Sequence, residues 1–242
     1  MSYSRLDSQR IIETIARLGD RIRERFPAAG LGAVANELLQ LARTNAERSA
    51  TIRKPNWWLR AISVSLLLAG VAAIALSFAS MKPAVDGPAA TVSLTDWLQT
   101  VEATLSMLFF LGAGAVYVLS LDQRSKRRRC LQALHELRAM AHIVDMHQLT
   151  KDPDRTMHKG PDTTSSPART LTPFELVRYL DYCSEMLSLM GKVAALYVQD
   201  FPDAQAVAAV DDIENLTTGL SRKVWQKIMI LENDLTAADA RP

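Results

Sequence analysis

Hydrophobic positions along this chain obey different rules in successive stretches. From Ser8 onward Ile11, Ile12, Ile15, Leu18, Ile22 and Phe26 recur at three- and four-residue steps, with Arg10, Glu13, Arg17, Asp20 and Arg23 between them. That period belongs to a helix with one apolar face. Pro27 ends it, and Gly30-Leu31-Gly32 reads as a turn. A second helix carries Val34, Leu38, Leu39, Leu41 and Ala42, and is predicted to fold back on the first as a hairpin within residues 1–56. The period then vanishes. Ala61 to Ser80 carries no charge, and Val101 to Leu121 carries only Glu102. Runs of about 20 apolar residues have the length of a helix crossing a bilayer, so spans are predicted at 57–80 and 97–121.

Amphipathic spacing returns beyond the second run. Leu134, Leu137, Ala141 and Val144 form a seam, and neither Gly nor Pro occurs between Ala115 and Asp152. The second span is therefore predicted to continue through 122–151 as one helix, on the order of 80 Å long from Leu94. Its seam needs cover, from the N-terminal hairpin or from a second copy. Residues 152–171 turn to Asp, Lys, Thr, Ser, Gly and Pro and read as a flexible linker. Thr172-Pro173-Phe174-Glu175 then supplies a cap, a first-position proline and a reciprocal glutamate. Phe174, Val177, Leu180, Cys183, Leu187, Met190, Ala194 and Tyr197 mark one helix, Phe201-Pro202-Asp203 a break, and Val207, Val210, Ile213, Leu220, Val224, Ile228, Leu231 and Leu235 a last helix. These predict a C-terminal hairpin over 172–242. The fold class is all-α: two transmembrane helices, with N- and C-terminal cytosolic helical hairpins forming a membrane-proximal bundle.

The flanks of the spans sharpen this picture. Trp57, Trp58, Trp97 and Tyr117 stand where aromatic rings prefer the headgroup level. Asn56 and either Ser93 or Thr95 are placed to cap the spans, and Asp96 favours the second helix's first turn. Arg60 can snorkel. Ala61, Ser65, Ala69, Ala73 and Ser77 fall at four-residue spacing, a face on which another helix packs closely, although an Ala-rich run also makes such a row by accident. Arg48, Arg53, Lys54 and Arg60 lie on one side of the spans, together with Arg124, Lys126, Arg127, Arg128 and Arg129, whereas Lys82 alone lies on the other. Both termini are thus expected in the cytosol, with 81–96 as a short extracytoplasmic loop.

Composition removes several alternatives. A net charge of +2 over 242 residues, with the basic residues beside the spans, argues against a nucleic-acid partner. Cys130 and Cys183 are too few for a disulfide framework and fit a reducing compartment. The first 26 residues mix acids and bases into an apolar pattern, unlike a cleavable signal, so the first span is expected to direct insertion. The Ala/Arg-rich usage suggests a bacterial inner (plasma) membrane.

Candidate chemistry is sparse. His135, Arg138, His142 and Asp145 share a helical stripe at steps of three, four and three. Its spacing is not that of a His-Glu-x-x-His zinc site, and Arg138 repels a cation. The stripe reads instead as a polar interface or a pH sensor, and a membrane enzyme using it is the remotest reading. Glu102, with Thr100 and Thr104, is a possible pore or polar site, while its closeness to Trp97 makes an interfacial carboxylate the simpler reading. Each cation among Arg124, Lys126, Arg127, Arg128 and Arg129 gains about 1 kcal/mol near an anionic leaflet, which anchors the helix exit. Phosphate loops, nucleophile elbows and Cys-x-x-Cys pairs are missing from the sequence. No catalytic residue, metal or cofactor is expected. The expectation is a non-enzymatic, homo-oligomeric membrane scaffold or sensor that presents its helical domain to a cytosolic protein. A pore-forming effector or small ion channel gated by the bundle is the alternative; that layout is similar to two-span effectors of bacterial conflict systems, in architecture alone.

Overall fold

The computed structural model describes residues 5–53, 57–80, 94–151, 163–166 and 171–239. Regular structure among them is entirely helical: α1 (Ser8–Arg25), α2 (Leu31–Arg53), α3 (Trp57–Ser80), α4 (Leu94–Leu149), α5 (Pro173–Val198) and α6 (Ala204–Asp239). Two of these, α3 and α4, are long and apolar enough to cross a membrane. The chain divides into two compact units, an apolar one, Lys54–Lys126, and a polar one, Met1–Arg53 with Arg127–Pro242. Helix α4 contributes to both. The cap at Asn56, the loop 81–93, most of the linker 152–171, and the side chains of Arg60, Ser77, Asp96 and Leu235 lie outside the described residues.

The polar unit is built on one core. Asp7 caps α1, its carboxylate accepting from the backbone N–H groups of Gln9 and Arg10 at 2.9 and 3.4 Å. Arg23 and Arg25 in the last turn oppose the negative end of the helix dipole. The predicted stripe turns inward, burying Ile11, Ile15, Leu18 and Ile22, and Gly19 lies on the same face. Helix α2 begins at Leu31, so Gly32 sits inside its first turn and only the stretch up to Gly30 serves as the connection. A side chain at Gly30 would meet the His147 ring, which is a reason for glycine there. Along α2, Val34, Leu38 and Ala42 are buried, with Leu39 and Leu41 at the margin.

Helix α5 starts as its sequence dictates. The Thr172 hydroxyl accepts from the Glu175 N–H at 3.3 Å, and the Glu175 carboxylate accepts from the Thr172 N–H at 2.8 Å. Helix α1 packs on α2, α5 packs on α6, and both α1 and α2 reach α5. Their buried residues join those of α4 from Cys130 to Val144 in a single cluster. Each fully buried leucine in it, such as Leu18, Leu137 or Leu187, contributes about 1.5–3 kcal/mol. Phe174 departs from the apolar expectation: it is exposed, with the guanidinium groups of Arg25 and Arg178 at 5.5 and 5.9 Å from its ring.

In the apolar unit α3 and α4 pack on each other at Gly70, against which Leu111 is seated, and at Leu66, which reaches Gly114. Ser63 and Ala115 are buried on the same side. Most of the remaining large apolar side chains face outward. Leu76, Phe109 and Phe110 are 70%, 71% and 72% exposed, and thirteen more large apolar side chains from Ile62 to Leu119 are exposed with them. A soluble protein rarely shows apolar surface on that scale.

Candidate functional site

Within the polar unit the C-terminal part of α4 is the central strut. Its seam is buried, with Leu134, Leu137, Ala141 and Val144 at 2% exposure or less, and the cover comes from this chain's own helices. The opposite edge carries the polar stripe. His135, Arg138 and His142 are exposed, and Asp145 is half-buried, accepting a 2.6 Å hydrogen bond from the Gln148 amide. The stripe is thus not gathered into a metal centre. Among the described residues no group of three His, Cys, Asp or Glu side chains is placed to hold a metal ion. His135 and Arg138 instead edge an open cleft between α4 and α6, floored by Leu131, Leu134, Ala209 and Ile213 and faced by Asp212.

The basic cluster is divided among different tasks. Arg127 makes a two-pronged pair with Asp203, its Nε and Nη2 donating at 2.9 and 2.6 Å. Asp203 also caps α6, accepting from the N–H groups of Gln205 and Ala206 at 3.1 and 3.2 Å. Hydrogen bonding from Arg127, helped by those backbone donors, holds the Asp203 carboxyl below the usual carboxylate range and raises Arg127 in turn. Lys126 pairs with Asp122 at 3.1 Å, one helical turn away. Arg124, Arg128 and Arg129 are exposed and remain the cations available to an anionic surface. A second strut joins the helices that adjoin the two apolar runs: Arg48 of α2 donates to Glu136 of α4 at 2.9 Å.

In the apolar unit the structure separates residues that the sequence grouped. Thr100 and Thr104 are half-buried on the α3 side of α4, where the Thr104 hydroxyl donates to the Thr100 carbonyl at 2.7 Å. Glu102 points elsewhere. It is exposed, in company with Gln99 and Ser106, and among the described residues no hydrogen bond or ion pair takes up its carboxylate. A carboxylate at the centre of a spanning helix costs about 2.5–3.5 kcal/mol on insertion scales. Ala61, Ser65 and Ala69 are exposed and Ala73 is half-buried, so the face of α3 turned to α4 is Ser63, Leu66 and Gly70. Trp57, Trp58, Trp97 and Tyr117 are all exposed.

Both thiols are chemically quiet. Burial pushes Cys130 up to about 11 and Cys183 up to about 12. The sequence reading missed the role of Asp203, although an Asp directly before a predicted helix is a standing signal for a cap. It missed Gln99 and Ser106 because the face of α4 that meets α3 is a property of packing, not of composition. No protein-family model matches the chain, and comparison with curated proteins and with solved structures found no similar one.

Proposed function

We propose that the protein is an integral membrane scaffold or sensor, anchored by α3 and α4 in the inner membrane of a bacterial cell with both termini in the cytosol. It works as a homo-oligomer, and its polar unit is a helical bundle offered to a cytosolic protein. One observation carries this reading: a single helix, α4, supplies both a bare apolar length suited to lipid and the buried seam of the bundle core. An event sensed along the span therefore reaches the centre of the bundle through one continuous element. The exposed stripe of His135, Arg138 and His142 on that helix is the surface a partner meets first. Arg124, Arg128 and Arg129 add attraction to anionic lipid.

A photo-crosslinking residue at His142 in the full chain, expressed in bacterial membranes, tests the reading. A discrete adduct with one cytosolic protein is expected from His142 and not from Lys192, an exposed position on α5. Adducts that are the same from both positions, or none from His142, contradict it. The exposure of Glu102 within an apolar run favours a second reading, a pore-forming effector or small cation channel. Purified protein in planar bilayers then conducts, and Glu102→Gln alters cation preference; silent bilayers under all conditions remove that reading.

A further inference from the structure

The face of α4 turned away from α3 is the polar one. On a helical wheel at about 100° per residue, Thr100, Thr104, Leu111, Gly114 and Ala115 cluster on the α3 side, where each is half-buried or buried. Gln99, Glu102, Ser106, Ala113 and Tyr117 cluster roughly 140° away on that wheel, and all five are exposed. An apolar helix that meets α3 at Leu111 and Gly114 thus keeps Gln99, Glu102 and Ser106 on the side that neighbour does not cover. The hydrocarbon layer offers Glu102 and Ser106 nothing to bond.

We propose that this face is where a second copy of the same chain docks. The inference rests on the membrane-spanning reading above, and it names the surface through which the copies meet. Copies inserted with one topology place equal positions at equal depth. Gln99 of one copy then faces Gln99 and Glu102 of the next. The amide carries both donors and an acceptor, and the carboxylate accepts, so Gln99 of each copy can donate to Glu102 of the other. Ala113, about two turns below Ser106, leaves room for the helices to close. Trp97 and Tyr117 are separated by about 30 Å of helix, the thickness of the hydrocarbon layer. Glu102 then lies about 7 Å inside it, deep enough for a neighbour's amide to matter.

The test is disulfide trapping in native membranes with the full chain. Ser106→Cys and Ala113→Cys sit on the docking face; Leu108→Cys and Leu119→Cys are also exposed, on another side of the helix. Cys130 and Cys183 are buried and do not compete. Under mild copper oxidation the docking-face variants are expected to give covalent dimer at least fivefold above the other two. Replacing Gln99 and Glu102 together by leucine is expected to lower the Ala113→Cys dimer at least threefold, while Glu102→Gln keeps it within twofold. Equal trapping on all sides, no trapping at Ser106 or Ala113, or an unchanged dimer in the double-leucine variant overturns the docking face. If the chain withstands a carbonate wash in those cases, the membrane reading survives; if carbonate releases it, that reading falls as well.

Discussion

Asp203 does two jobs with one carboxylate, and the consequence is measurable. It ends the approach to α6 as a cap and holds Arg127 of α4 by a two-pronged bond. Its folded-state pKa lies below the unfolded value of about 3.9. A depressed carboxylate contributes stability that is complete above the unfolded value and fades as pH falls through the folded one. Asp203→Ala removes cap and pair together, and the cap alone is worth about 0.5–2 kcal/mol. Asp203→Asn keeps the cap. Thermal melts followed by circular dichroism at pH 7 are expected to rank wild type above Asn and Asn above Ala, and the gap between wild type and Asn should shrink below about pH 4. The cysteines supply a second check. With Cys130 and Cys183 buried and their thiols held near 11 and 12, neither should react with a maleimide at pH 7 in the folded chain, and both should react in denaturant. Labelling of either in the native state would mean that the core of the polar unit opens readily.

At the scale of elements, Gly70 is a point where α3 and α4 are in contact. A methyl group there runs into Leu111, so Gly70→Leu should drive the two helices apart, and Leu111→Ala should partly relieve it. The readout is an internal disulfide between Leu66→Cys and Gly114→Cys, which face each other across the pair. It is expected to form efficiently in the wild-type background, to fall severalfold with Gly70→Leu, and to recover with Leu111→Ala; efficient trapping in the Gly70→Leu chain would show that the contact lies elsewhere. Six helices are spelled out by period, cap and proline. The Thr172 capping box, the inward stripe of α1 and the uninterrupted run of α4 are local, so a sequence displays them directly. What sequence withholds is direction. The small-residue row Ala61, Ser65, Ala69 looks as good a packing face as Ser63, Leu66, Gly70, because both satisfy helical spacing. The neighbour chooses between them. Likewise Glu102 stands out as a lone charge, and helical spacing alone sets it on the opposite side from Thr100 and Thr104, but which of the two sides α3 covers is settled by packing. Phe174 fits an apolar stripe by spacing, and two arginines from separate helices make its exposed place tolerable.

For the whole molecule the governing fact is the disparity between its two units. One hides its leucines and shows charge, and the other shows its leucines and phenylalanines. Water cannot pay for the second, and lipid can. In the proposed arrangement the arginines and lysines on the outer flanks of the apolar runs put the polar unit on the cytosolic side, with Lys82 alone on the far side. Site-directed thiol labelling addresses this arrangement most directly, because both native thiols, Cys130 and Cys183, are buried. Asp86→Cys, between the two apolar runs, and Glu214→Cys, exposed on α6, are expressed singly in bacterial cells and exposed to a membrane-impermeant maleimide. Intact spheroplasts are expected to label Asp86→Cys and spare Glu214→Cys, and inverted vesicles to reverse the pattern. Labelling of both positions from the same side of a sealed membrane would contradict it.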